Sequence, residues 1–309
     1  IALVLVASAS LTGGAASPPG PAYPSGPLPI ATGERDSVYY QYGLALREAM
    51  RSGMPELDPY LTVSSSARRN LELAAAGKVQ LVFASADTVA SLPSRDTDRL
   101  ATIARLYDDY LHLVVRRGEN PPIQTLTDLR GKRVSVGTAG SGTERTSMQL
   151  LRVAELHDDT TIRRLDLTES ESALINGEID AFFYFGGLPT TGIERLNLIQ
   201  PIQLIDLGDW IGGLSGHGDF YTRLAIPSST YGPGVDVATT VGLPNYLVVP
   251  TRMDPDLAYA LTNLLFEQQE LMAGTHEVVE RLDRRAAIVT PQPLQLHPGA
   301  LAYYRETQI

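Results

Sequence analysis

Gly177-Glu178-Ile179-Asp180-Ala181-Phe182-Phe183 repeats, one hundred residues on, the form of Gly77-Lys78-Val79-Gln80-Leu81-Val82-Phe83. In each case an amphipathic run stops at a glycine, an apolar strand follows, and a small polar loop closes the unit: Ser85-Ala86-Asp87 in one, Gly186-Gly187 in the other. A second pattern also occurs twice. Leu28-Pro29-Ile30-Ala31-Thr32-Gly33 and Arg133-Val134-Ser135-Val136-Gly137-Thr138 each read as a short strand running into a glycine turn and then a helix. Strands alternating with helices make mostly parallel sheets. A set built twice is most simply a two-lobed α/β protein, with the ligand between facing loops.

Working outward, Leu28–Thr32, Tyr60–Ser64, Val79–Ala84, Lys132–Gly137, Arg163–Leu167 and Ile179–Phe185 read as strands. Helices are expected over 38–51, 68–76, 143–156, 169–176, 255–272 and 275–285. Leu100–Leu106 and Tyr110–Arg116 read as two extended pieces, the second crossing between lobes, and Asn245–Pro250 reads as the return crossing. Residues 201–226 are strand-like with glycine interruptions and resist assignment. The lobes are expected at 28–116 plus 245–309 and at 117–244.

The 309 residues suffice for two cores. A net charge of −10 argues against a nucleic-acid surface and against attraction to anionic lipid. Cysteine is absent, which removes disulfides, thiolate catalysis and cysteine-held metals. Ile1–Leu11 is apolar and of signal-peptide length, too short to span a bilayer. Leu11-Thr12-Gly13 followed by Gly14 suggests either a lipoprotein signal whose acceptor cysteine is replaced or a plain secretory signal. Residues 1–14 are thus expected to be an export-signal remnant and 15–27, rich in proline and glycine, a disordered tether.

The strongest local signal is Val136-Gly137-Thr138-Ala139-Gly140-Ser141-Gly142-Thr143-Glu144, a strand feeding a small-residue loop that opens a helix. Backbone N–H groups and the positive end of the helix dipole there suit a carboxylate. Ser141 with Glu144 is equally a capping box. The matching place in the first lobe is Thr32–Tyr40, where Tyr39 and Tyr40 offer flat faces to close over a ligand; Arg35, between Glu34 and Asp36, reads as a local ion pair. Ser66 and Asn70 begin a helix after the second strand. Ser85 and Gly187 end the repeated strands, outside whose carboxyl ends ligands bind in open parallel sheets. The candidate site is therefore Gly33, Tyr39, Tyr40, Ser66, Asn70, Ser85, Thr138, Gly140, Ser141, Gly142, Thr143 and Gly187. No nucleophile elbow, phosphate-binding loop or two-histidine zinc spacing occurs, so no enzyme, cofactor or metal is expected. Asp108-Asp109 and Asp158-Asp159 read as solvated turns.

Several stretches together resemble one family: Thr32-Gly33 through Tyr40, Leu111–Arg116, Leu129–Gly137, Gly140–Glu144, Gly177–Phe183, Ile226–Tyr231 and Leu296–Ala300. In this order the chain is similar to the TAXI-type solute-binding subunits of tripartite ATP-independent periplasmic (TRAP) transporters. The resemblance implies a type II periplasmic-binding-protein fold with two crossing hinge strands, closing on a small organic anion of the glutamate, glutamine or 2-oxoglutarate class. It carries over Gly33, Tyr40, Asn70, Ser85, Ser141, Gly142, Thr143 and Gly187. It implies membrane permease partners, an extracytoplasmic location that is secreted or lipid-anchored, and no cofactor. A sensor of the same fold signalling to a membrane histidine kinase is the alternative. A tetrapyrrole-forming deaminase on this fold would need a cysteine. Two features depart from the family: Glu34, Arg35 and Asp36 charge a loop that is otherwise glycine-rich, and Arg68-Arg69 replace an acidic residue before Asn70.

Overall fold

Gly77 and Gly177 both adopt φ +70°, the left-handed conformation that glycine takes without steric cost. Each closes its helix with the same pair of backbone bonds. Gly77 and Lys78 donate to Ala74 and Leu73, and Gly177 and Glu178 donate to Leu174 and Ala173, the Schellman pattern that satisfies the last carbonyls of a helix. The chain then enters a strand by the same step. Gln80 N–H donates to Pro29 and Asp180 N–H to Arg133, at 2.9 and 2.8 Å. The hundred-residue echo is thus one supersecondary unit made twice.

The computed structural model describes residues 23–33, 35, 37–64, 66–214, 220–274 and 277–308. The export-signal reading of 1–14, most of the tether, and Glu34 and Asp36 lie outside them. The first part of the chain forms β1 (Gly26–Thr32), α1 (Val38–Gly53), β2 (Leu57–Val63), α2 (Ala67–Ala75), β3 (Leu81–Ser85), α3 (Ala86–Ala90), α4 (Ser94–Thr97) and β4 (Leu100–Arg116). Next come β5 (Arg133–Ser135), α5 (Gly142–Val153), β6 (Thr161–Arg163), α6 (Leu167–Ile175), β7 (Ala181–Gly186), α7 (Thr191–Ile199), β8 (Ile202–Leu204), α8 (Ile211–Leu214) and β9 (Thr222–Ile226). The chain ends with β10 (Ala238–Pro250), α9 (Pro255–Glu267), α10 (Gln269–Ala273) and α11 (Pro298–Glu306).

The strands order β2-β1-β3-β10-β4-β7-β5-β6, with β8 on β4 and β9 on β10. The parallel pairs form two arms, β2-β1-β3 and β7-β5-β6. The long strands β4 and β10 join the arms antiparallel. Along β4, Ile103 and Tyr107 belong to the core under α1 and α9, whereas Leu111, Leu113 and Val115 belong to the core under α5. Along β10 the same change falls between Val241 and Leu243. Both strands therefore pass from one core to the other near Asp109 and Gly242, which face each other within one residue of register.

Three expectations need correction. The two extended pieces around Asp108-Asp109 are one continuous strand, so these acids lie in mid-strand rather than in a turn. The expected helix over 255–272 is two, broken at Gln268, and of the expected helix over 275–285 only a 3-10 turn at Glu277–Arg281 forms. Residues 201–226, unassigned from sequence, hold β8, α8 and β9.

The crossing is pinned on the second-core side by a buried histidine. His112 is fully buried and its Nδ1 lies 3.2 Å from the Tyr184 carbonyl. A carbonyl only accepts, so Nδ1 carries the proton and Nε2 accepts from the Tyr231 hydroxyl at 2.6 Å. The Tyr231 oxygen in turn accepts from Thr190 N–H at 3.1 Å. Burial pushes His112 down to about 4 despite the nearby carbonyls. Between 6.5 and 4 the unfolded chain takes up a proton that the folded chain refuses. The neutral ring's contribution is therefore complete above pH 6.5 and disappears as pH falls toward 4, by about 3 kcal/mol. Urea midpoints of wild type and His112→Asn measured from pH 7 to 4.5 should converge as the pH falls, because only wild type carries this loss.

Candidate functional site

Polar side chains from both arms meet where the parallel strands end. Ser85, the last residue of β3, donates to Asp87 Oδ1 at 2.5 Å, and Thr88 N–H donates to the same oxygen at 2.7 Å. From the other arm Arg145 of α5 reaches Asp87 Oδ2 with Nη2 at 2.5 Å and Nε at 3.1 Å. Asp87 is 5 % exposed at its side chain and Arg145 is 43 % exposed. Arg145 Nη1 also donates to the Gly140 carbonyl at 3.1 Å, which ties the guanidinium to its own loop.

The start of α5 is capped from its own loop. Ser141 caps it by accepting from Glu144 N–H at 3.0 Å. The Glu144 carboxylate reaches past Ser141 to the Gly140 N–H at 2.6 Å and is held below the usual carboxylate range by that bond and by Arg164. First-turn N–H groups have no partner within their own helix. Those of Gly142 and Thr143 find no other acceptor among the described residues. A Cβ added at Gly142 would sit 3.8 Å from Asp87 Oδ2, so the first arm's carboxylate stands beside the start of α5. Gly137, at φ +91°, lets the loop turn there without a side chain striking Thr143. The Thr143 hydroxyl accepts from Phe185 N–H at 3.2 Å and so joins α5 to β7.

The floor between the arms is formed by the crossing strands. Asn245 of β10 is fully buried with both ends of its amide committed. Its Nδ2 donates to the Leu243 carbonyl at 3.2 Å and to Asp109 Oδ2 at 2.9 Å. Its Oδ1 accepts from the Tyr39 hydroxyl at 2.6 Å. Burial, then the charges of Asp108 and Asp87, push Asp109 up to about 7, against the pull of the Asn245 bond. The half-buried Tyr39 is held well above the usual phenol range by burial and by Asp109 and Asp87.

Of the residues expected from sequence, Tyr39, Ser85, Gly140, Ser141, Gly142 and Thr143 lie around this cluster. Tyr39 is no free lid. Its ring stacks on Phe83 at 5.8 Å and its hydroxyl is spent on Asn245. Tyr40 contacts Arg35, which donates to its hydroxyl at 3.1 Å. Ser66 caps α2 by accepting from Arg69 N–H. Buried Asn70 donates to the Thr32 carbonyl at 3.0 Å and anchors the end of β1; Ser170, one hundred residues on, does the same in the other arm by donating to Ser135. Gly33 is a tight turn beside Ser37, and Thr138 is exposed with its carbonyl accepting from Ser141. Gly187 lines a separate cavity of about 170 Å³ with Arg105, Tyr110 and Arg281. Four residues of the cluster were not in the expected set: Asp87, Asp109, Arg145 and Asn245. Asp87 stood in the quoted Ser85-Ala86-Asp87 loop and Arg145 directly follows the capping box, so both had a local signal. Asp109 and Asn245 meet only through the pairing of β4 with β10.

Several solved structures share this architecture. The periplasmic aliphatic sulphonate binding protein SsuA of Escherichia coli matches with a TM-score of 0.53 at 14% identity, over 91% of this chain and 83% of that one. A Bordetella bronchiseptica protein matches at 0.51 and 17% identity, over 91% and 81%. A Xanthomonas citri protein solved with a chloride ion matches at 0.51 and 16% identity, over 91% and 99%. Residues 30–307 match the model of the NMT1-like family. With the two-lobed α/β fold spanning nearly the whole described chain, this protein belongs to the NMT1-like family.

Proposed function

We propose that the chain is an extracytoplasmic solute receptor of the TAXI type. It would capture a small organic anion of the glutamate, glutamine or 2-oxoglutarate class between its lobes and deliver it to the permease subunits of a TRAP-type transporter. The observation that carries this reading is the convergence of Ser85 and Asp87 from one arm with Arg145 and the start of α5 from the other. Polar groups from two lobes meeting outside the carboxyl ends of strands form a site that domain closure completes. The lobe division at 28–116 plus 245–309 and 117–244 is part of the proposal. The core change near Asp109 and Gly242 supports it, with the first boundary falling inside β4 and the second, as expected, inside β10. No helix among the described residues is long and apolar enough to cross a membrane. The carboxylate that the Ser85 hydroxyl meets, Asp87, is committed to Arg145, so binding rather than catalysis is the use the cluster suits. Mass spectrometry of the protein as purified, native and then denatured, should release a stoichiometric small acid of this class. A protein that carries none, and whose melting temperature none of these acids raises, would count against the receptor reading.

A further inference from the structure

We propose that Asp109 is an ammonium subsite, so that the solute is a zwitterionic amino acid rather than a 2-oxo acid or a simple dicarboxylate. The inference rests on the receptor reading and narrows its ligand class.

It stands on the charge arrangement of the cleft. Arg145 is matched by Asp87 at 2.5 Å. Arg105, next along β4, is matched by Asp108 with contacts of 2.6 and 2.7 Å. Asp109 has no salt bridge among the described residues, and its one hydrogen bond there comes from the neutral Asn245 amide. An ionised carboxylate accepts at two oxygens with about four sites in all, so most of its capacity is unused among the described residues. The Asn245 amide cannot turn to serve another purpose. Leu243 and Tyr39 fix its orientation, and that orientation presents a donor to Asp109. The floor is therefore arranged for a carboxylate, and it lacks a cation.

A ligand with an ammonium group supplies that cation through a charge-assisted hydrogen bond. Its carboxylate would take the open N–H groups of Gly142 and Thr143 on the opposite wall. A 2-oxo dicarboxylate would instead place a carbonyl and a second negative charge against Asp109 in a partly dry cleft, where like charges repel strongly. The raised value of Asp109, about 7, fits a carboxylate waiting for a counter-ion. The groups facing it are Asp87, Asp108, Tyr39, Tyr107 and Asn245. Because Asp109 is raised, the folded chain keeps a proton that the unfolded chain loses between 3.8 and 7. Stability therefore declines as pH rises through that window and stays lower above it.

Calorimetric titration of the full chain with L-glutamate, L-glutamine and 2-oxoglutarate tests the proposal, on wild type and on Asp109→Asn. One of the amino acids should bind at least tenfold more tightly than 2-oxoglutarate, and its affinity should fall about fivefold from pH 7 to pH 6 as Asp109 takes up a proton. Asp109→Asn should lose at least tenfold for that amino acid, leave 2-oxoglutarate unchanged or tighter, and melt at a higher temperature than wild type at pH 8. Equal or tighter binding of 2-oxoglutarate by wild type, or an amino-acid affinity in wild type that does not change between pH 7 and 6, would overturn the ammonium subsite and leave the receptor reading standing. Undiminished amino-acid binding by Asp109→Asn would do the same. Binding of none of the three by wild type would overturn both together.

Discussion

Arg145→Ala is expected to open the cleft and to weaken ligand capture by one to two orders of magnitude. Asp87 is almost wholly buried and takes two of its hydrogen bonds, from Ser85 and Thr88, within its own lobe. Its opposite charge comes across the cleft from Arg145. Breaking a fully buried pair costs about 3–5 kcal/mol because one charge is left uncompensated. Arg145 is partly exposed, so solvent screening reduces the figure here to about 1–3 kcal/mol. That energy belongs to the contact between lobes and not to either core. Its loss falls on the closed state, where each 1.4 kcal/mol is about a tenfold change in population. Small-angle scattering of the variant should show a larger radius of gyration, and calorimetry a weaker ligand, while the melting of the cores changes little. Arg145→Lys should fall between, since an ammonium lacks the planar fork that reaches Asp87 through two nitrogens. A variant with wild-type scattering and wild-type affinity would show that the pair does not hold the lobes.

Gly299→Ala is expected to destabilise the fold by about 3 kcal/mol. A Cβ at Gly299 would lie 2.0 Å from the Pro255 carbonyl oxygen and 2.8 Å from Tyr259 N. Both are backbone atoms of α9, and no side-chain rotation relieves the clash. The residue belongs to Leu296-His297-Pro298-Gly299-Ala300, a stretch whose local reason is now visible. His297 caps α11 through Nδ1, which accepts from Gly299 N–H; Pro298 takes the first helical position, where no N–H is needed; Gly299 lets α11 touch α9. Urea unfolding should show a lower midpoint with an unchanged slope. Ligand affinity per folded molecule should stay the same, because the contact is far from the cleft.

The parts of this fold that were legible in the sequence are those governed by short-range rules. The glycines at 77 and 177 announced helix ends, and the apolar runs after them announced strands, because capping and burial act within a few residues. The Ser141 cap was legible for the same reason, although its glutamate serves Gly140 and not Ser141. Asp109 was not legible. Two adjacent acids beside a tyrosine carry turn-like composition, and only the pairing of β4 with β10, across 136 residues, places an acid beside a buried amide. Tyr39 failed in the opposite sense: an aromatic at a loop end looked free to close, but Phe83 and Asn245 hold it. The crossings were read from the extended runs at Tyr110–Arg116 and Asn245–Pro250, and the cores change close to them, near Asp109 and Gly242, inside β4 and β10.

The chain has no cysteine, so two introduced thiols can report the distance between lobes without background. Arg95→Cys on α4 and Leu198→Cys on α7 replace side chains that are 83% and 87% exposed. Spin labels at these positions, read by double electron–electron resonance, follow lobe closure directly. The account predicts a broad, longer distance in ligand-free protein that narrows and shortens with the released solute, and a longer distance in Arg145→Ala at the same solute concentration. One distance distribution, identical with and without solute and in the variant, would contradict it.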